Sequence, residues 1–213
     1  MPIRYIILLL ALVSLMGMPY TVLMPVFAKT IIHGGPHTFG FLMAASGIGA
    51  LTAAIYMASR KSVLGLAKFI PRFAALFGLG LIAFSQSTLF LLSMVLMLVI
   101  GGGMIMQMTA SNTILQTIVD DDKRGRVMSF YTMAFMGTAP FGSLLAGYLA
   151  SIIGAPDTLL IGGVSCIIGA IIFARKLPEI KATIRPVYIR LGILSEVTKG
   201  VQTATELSGL SKG

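Results

Sequence analysis

Charge is what this chain has least of. Charged residues make up 11% of its 213 residues, and Asp and Glu together number 7. Soluble domains carry roughly 25% charged residues. With 56% hydrophobic residues there is too little polar surface to coat a water-soluble globule of this size. A soluble enzyme, a nucleic-acid-binding domain and a disordered regulator are excluded on this ground, and a mean hydropathy of +0.94 agrees. Cysteine is nearly absent too: Cys166 stands alone, forms no internal disulfide and is expected to pack. The two histidines, His33 and His37, are separated by Gly34, Gly35 and Pro36, which prevents a helical metal face. Two ligands also fall short of the usual tetrahedral set, so no metal is expected. A phosphate-binding glycine loop with Lys-Ser/Thr, a nucleophile elbow and paired zinc histidines are all missing. No cofactor is expected, nor an ATP-driven pump, a metalloprotease or a nucleic-acid partner.

What is present is a set of long uncharged runs. Residues 5–28, 30–59, 73–119, 127–156 and 158–174 contain no Asp, Glu, Lys or Arg. A spanning helix needs about 20 apolar residues. The run 73–119 is therefore two crossings joined at Ser85-Gln86-Ser87-Thr88. The expectation is an all-α membrane protein: a six-transmembrane-helix bundle with spans at about 4–27, 39–58, 68–86, 88–117, 127–151 and 157–175. Lys68 and Arg72 fall in the first turns of the third span, where long basic side chains reach the headgroups. The first span has a basic start but is too long for a signal-peptide apolar core, so it reads as a retained helix.

Six spans put both termini on one side. That side collects Arg4, Arg60, Lys61, Lys68, Arg72, Lys123, Arg124, Arg126, Arg175, Lys176, Lys181, Arg185, Arg190, Lys199 and Lys212, and only Lys29 faces the other way. By the positive-inside rule both termini are expected in the cytoplasm. Residues 177–213 form a basic cytoplasmic tail. Val187, Leu191, Leu194 and Val201 give it a partial helical stripe after Pro186, weakened by Gly192 and Gly200. The tail is read either as lying on the membrane surface or as disordered.

No Asp, Glu, Lys or Arg lies deep in a span, so the chain alone supplies no carboxylate proton path. Contacts to a substrate must come from neutral polar groups, aromatics and kinked backbone. The fourth span is the most polar. Gln107, Ser111 and Gln116, with Asn112 beside them, share roughly one face. Amides facing lipid are costly, so this face points into protein or water. It serves either as interhelical glue or as the wall of a substrate cavity. Met18-Pro19-Tyr20 and Pro25 kink the first span, which makes Met18 and Tyr20 cavity candidates beside Tyr131 of the fifth. Gly137, Pro140 and Gly142 mark a packing face and bend in the fifth span, and the small residues around Gly47 a packing face in the second. The loop from Asp120 through Asp122, Lys123 and Arg124 to Arg126 is either a latch across one face or a solvated loop whose bases set topology.

These residues resemble a known family. Gly17-Met18-Pro19-Tyr20-Thr21-Val22-Leu23-Met24-Pro25-Val26-Phe27-Ala28 is similar to the opening of the C-terminal six-helix half of a major facilitator superfamily transporter. The run from Gly40 to Ala50, Arg124-Gly125-Arg126-Val127-Met128-Ser129 and Arg185-Pro186-Val187-Tyr188-Ile189-Arg190 carry the likeness along nearly the whole chain. The branch it resembles is that of bacterial exporters of the enterobactin- and macrolide-efflux type. The resemblance implies that the six helices match the seventh to twelfth of a twelve-helix carrier. It also implies a cavity lined by the first, second, fourth and fifth helices, and efflux of a small molecule such as a drug or siderophore. Ser59-Arg60-Lys61 resembles a reduced copy of the family's cytoplasmic loop motif without its acidic member. With Asp122, Arg124 and Arg126 it is the expected cytoplasmic gate loop. Gly137 to Gly142 resembles the exporters' glycine-proline motif. The implied setting is the bacterial inner membrane. The implied partners are the lipid bilayer, a small-molecule substrate, and a missing N-terminal half or a second copy of the chain. Two other readings stay open: a complete six-helix chain acting as a homodimeric carrier, and a membrane scaffold subunit that transports nothing.

Overall fold

The computed structural model describes residues 2–60 and 62–190. Lys61 and the tail positions Leu191, Gly192, Leu194, Gly200 and Val201 lie outside the described residues. Among the described residues there is no strand. Six helices are long and apolar enough to cross a membrane. They are α1 (Ile3–Ile31), α2 (Pro36–Ser59), α3 (Leu66–Ser85), α4 (Phe90–Ile118), α5 (Asp121–Ile153) and α6 (Ala155–Arg190). Each uncharged run folds as a helix because only intrahelical bonds satisfy its backbone in hydrocarbon. The connections are short. Gly65 at φ 81° and Gly154 at φ 90° carry the chain into α3 and α6 through backbone that a side chain would strain. Pro36 starts α2 at a position where its missing N–H costs nothing.

Two helices depart from regular α geometry. In α1, Val13–Gly17 and Phe27–Ile31 are π-helical, and in α5 so is Met133–Gly137. The first lies just before Pro19. Proline has no N–H to give the carbonyl four residues back, and a wider turn is one way to absorb that loss. Met18 N–H instead reaches the Val13 carbonyl at 3.1 Å, five residues back.

The bundle is held by close backbone crossings at glycine. Gly49 of α2 sits against the Leu98 carbonyl of α4, and Gly101 of α4 against the Ser46 carbonyl of α2. A Cβ on Gly78 of α3 would lie 2.7 Å from the Gly163 carbonyl of α6, and one on Gly163 would lie 2.6 Å from the Gly78 carbonyl. Helices in lipid associate through such small-residue contacts because apolar burial gains little there. Around them Phe27 stacks on Phe84 at 5.0 Å, and Phe77, Leu81, Met97 and Ile100 are fully buried.

Burial is uneven. Of the most apolar stretch of each helix, between 39% and 50% is buried in α1, α3, α4 and α6, but only 28% in α2 and 11% in α5. Phe41, Ile48, Leu51 and Ile55 form an outward stripe on α2, and Phe141, Leu144, Tyr148 and Ile152 one on α5.

The sixth helix is longer than its uncharged run. A boundary is expected near residue 175, yet the helix continues to Arg190, through Pro178 and Pro186. Its 36 residues extend about 54 Å, against a hydrocarbon core about 30 Å thick. The continuation buries Ile180, Ile184 and Tyr188, one side chain per turn on a single face. That stripe offsets the cost of the two prolines.

Candidate functional site

The polar residues of α4 meet α5. The Tyr131 hydroxyl donates to the Met108 carbonyl at 3.1 Å, with the Asn112 side chain close by. Asn112 Oδ1 accepts from Gln116 Nε2 one turn on. Tyr131 itself is buried, on a helix that buries little else. Deeper in α4, Ser111 Oγ donates to the backbone carbonyl of Gln107 at 2.8 Å, a bond within its own helix. Gln107 is 1% exposed, and its Nε2 has no hydrogen-bond partner among the described residues. Leaving a buried donor unpaired costs about 1–3 kcal/mol, so such groups are rare and call for a reason.

The first helix brings Tyr20 to a different junction. Its hydroxyl lies 3.2 Å from Ser46 Oγ of α2, and its ring meets Phe77 of α3 edge-on at 6.2 Å. Tyr20 therefore ties α1, α2 and α3 together, while Tyr131 ties α5 to α4. Met18 is half-buried at the end of the first π segment. Pro19 is buried, whereas Pro25 is exposed in the helical turn before the second π segment.

The kinked parts of α1 and α5 touch. Ser14 Oγ, fully buried, donates to the Phe135 carbonyl at 2.5 Å. Both residues belong to π segments. Gly142 sits against the Leu15 carbonyl, the group Pro19 cannot serve. Pro140 opens the α-helical remainder of α5. Gly137 is exposed, and a Cβ there would meet only Met133 Cγ at 3.4 Å. Sequence reasoning missed Ser14, and read Ser46 as part of the small-residue packing face of α2 and not as a partner for Tyr20. Each is a lone hydroxyl in an apolar run, and that is the signal that marks them.

At the basic end of the bundle, Arg60 lies 4.6 Å from the centre of the Phe69 ring and donates to the Leu64 carbonyl at 3.2 Å. Arg124 pairs with Asp121 at 2.6 Å within α5, while Asp122 and Arg126 are exposed. The bond that joins two elements is one the sequence does not signal: Arg190 of α6 to Asp120, at 2.6 Å. Arg190's hydrogen bond and charge, with Lys123 adding a smaller share, hold the Asp120 carboxyl below its usual range.

A bundle of six helices long and apolar enough to cross a membrane, with a few side-chain hydrogen bonds at helix junctions and π segments in two helices, defines a multi-pass α-helical membrane protein. Comparison with known proteins narrows this. Residues 1–189 match the family model MFS_3, described as transmembrane secretion effector, and the chain belongs to that family. The fold is that of half of a major facilitator protein, and the family is one of transporters rather than enzymes. Among curated proteins, the staphyloferrin A transporter of Staphylococcus aureus is 27% identical over 172 residues, covering 80% of this chain and 42% of that relative. The chain thus spans less than half the length of the relative it matches.

Proposed function

We propose that this chain works as one half of a carrier that expels a small molecule, of siderophore or drug type, by alternating access. The junction of α1, α4 and α5 lines its side of the pathway. The observation that carries this reading is the α4–α5 polar contact, Tyr131 hydroxyl to the Met108 carbonyl, on the helix that also holds the buried, unpartnered Gln107 amide, in uncharged stretches of both spans. Neutral hydrogen-bonding groups at membrane depth suit a polar organic substrate. The π segments of α1 and α5 supply backbone that can change its turn without breaking a regular helix. The S. aureus relative's name supports a siderophore-like cargo.

The outward apolar stripes of α2 and α5 are the faces on which a second six-helix half packs. The halves of such carriers are parallel repeats about an axis along the membrane normal. The relative's greater length supports a separate N-terminal half as that partner. A second copy of this chain would use the same faces. Fifteen basic residues on one side support cytoplasmic termini in a bacterial inner membrane.

The test is accumulation of staphyloferrin A, and of a macrolide, in cells expressing the chain with and without a companion half. Gln107→Leu and Asn112→Leu are expected to abolish efflux while membrane insertion stays intact. Full efflux by both variants would leave the polar junction as glue and remove the proposal. A Leu144→Cys cross-link to the companion half, against one to a second copy, separates the two partners. Cys166 cannot serve, because it is fully buried.

A further inference from the structure

We propose that the groove between the start of α3 and the extended end of α6 binds the headgroup of an anionic phospholipid. Two adjoining cavities, about 390 and 380 Å³, share Lys68 and Lys181 as walls. Arg72 completes the first and Arg185 the second, so four cations border one groove. Among the described residues, no Asp or Glu lines either cavity. The nearest acid along α6, Glu179, is bound to Lys176 at 3.2 Å.

Beneath the cations the walls turn apolar. Pro71 and Ala75 of α3 face Ala170, Ala174 and Leu177 of α6. Three of these five are alanines, and their small size keeps a furrow open toward the membrane-depth part of the bundle. A soluble anion would use the cations but not the furrow. A phospholipid uses both, with its phosphate on the lysines and an acyl chain along the alanines. Lys68 lies in the first turn of α3, at the positive end of the helix dipole, which adds favourable potential for the same phosphate. Basic pockets between helices at a membrane face are a recurrent form of anionic-lipid site. The α6 extension builds this one: Lys181 and Arg185 exist as walls only because the helix runs on past residue 175.

The assignment is independent of transport. The chain contains no tryptophan, so Leu177→Trp places a single fluorescent reporter in the furrow. The full chain carrying it is reconstituted in phosphatidylcholine bilayers, and brominated lipids then compete to quench it. Brominated phosphatidylglycerol is expected to bind at least tenfold better than brominated phosphatidylcholine. Adding Lys68→Gln with Lys181→Gln should bring the ratio near one, while Lys68→Arg with Lys181→Arg keeps it. Lys123→Gln, a neutralisation on the same face outside the groove, should change nothing.

Equal quenching by the two lipids in the unmodified groove overturns the proposal. So does an equal fall with Lys123→Gln, which would mean a diffuse charge effect. Displacement of the anionic lipid by inorganic phosphate at matched ionic strength would also overturn it, by making the site one for a free anion. Should the double glutamine variant not fold, the ratio for the two lipids decides alone.

Discussion

Ser14 of α1 and Phe135 of α5 join two π-helical segments by one hydrogen bond, hydroxyl to carbonyl, at 2.5 Å. The two residues are 121 positions apart. Removing the hydroxyl by Ser14→Ala leaves the Phe135 carbonyl without that donor. The expected loss is about 1–3 kcal/mol of stability, read as a lower unfolding temperature by circular dichroism in detergent. Hydrogen exchange should also quicken in residues 133–137. Unchanged protection there would mean that the bond does not hold the segment.

The α1–α5 contact also depends on Gly142. Any Cβ at that position runs into the Leu15 carbonyl, which is backbone and cannot swing aside. Gly142→Ala should cost about 1–3 kcal/mol as an overpacked contact. Gly147 lies on the same helix, and a Cβ there has nothing within 4 Å. Gly147→Ala should therefore fall within about 0.5 kcal/mol of the parent. Equal melting temperatures for the two variants would show that α5 moves away from α1 at little cost.

These contacts show what the sequence carried and what it did not. Six helices were legible because uncharged runs of the right length have one solution in lipid. The end of α6 was not. Arg175, Lys176 and Pro178 read as a stop, and the buried stripe Ile180, Ile184, Tyr188 is visible only to a count that crosses both prolines. The polar side chains of α4 announced themselves as residues that cannot face lipid. Their partners did not: Tyr131 reaches a backbone carbonyl, and Ser111 bonds within its own helix. Tyr20 was legible as a cavity candidate, but its bond to Ser46 depends on how α2 crosses α1, which spacing along one helix does not encode.

The Asp120–Arg190 pair predicts a pH response at the basic end. Asp120 has its pKa lowered from 3.8 in the folded chain. A depressed carboxylate contributes stability that is fully present above its unfolded value and is lost as pH falls through the folded one. The last turns of α6 should therefore stay docked at neutral pH and loosen below about pH 3.8. Proteolysis near residues 185–190 by an acid-active protease, scanned across pH, should show an onset in that range. Asp120→Asn should remove the pH dependence of that onset. The pair is exposed, so high salt should weaken it as well.

Gln107 sets stability against function. Its side-chain nitrogen is buried with no partner among the described residues, a state a purely structural core would avoid. Methionine has nearly the same length and flexibility without the polar amide. Gln107→Met should therefore remove the desolvation cost and raise stability by about 1–2 kcal/mol, seen as a higher unfolding temperature in detergent. If the amide is kept for a polar substrate, efflux by the paired carrier should fall in the same variant, because a stabilising change in a working site costs activity. A variant that is both less stable and fully active would place Gln107 among the groups that hold the helices together.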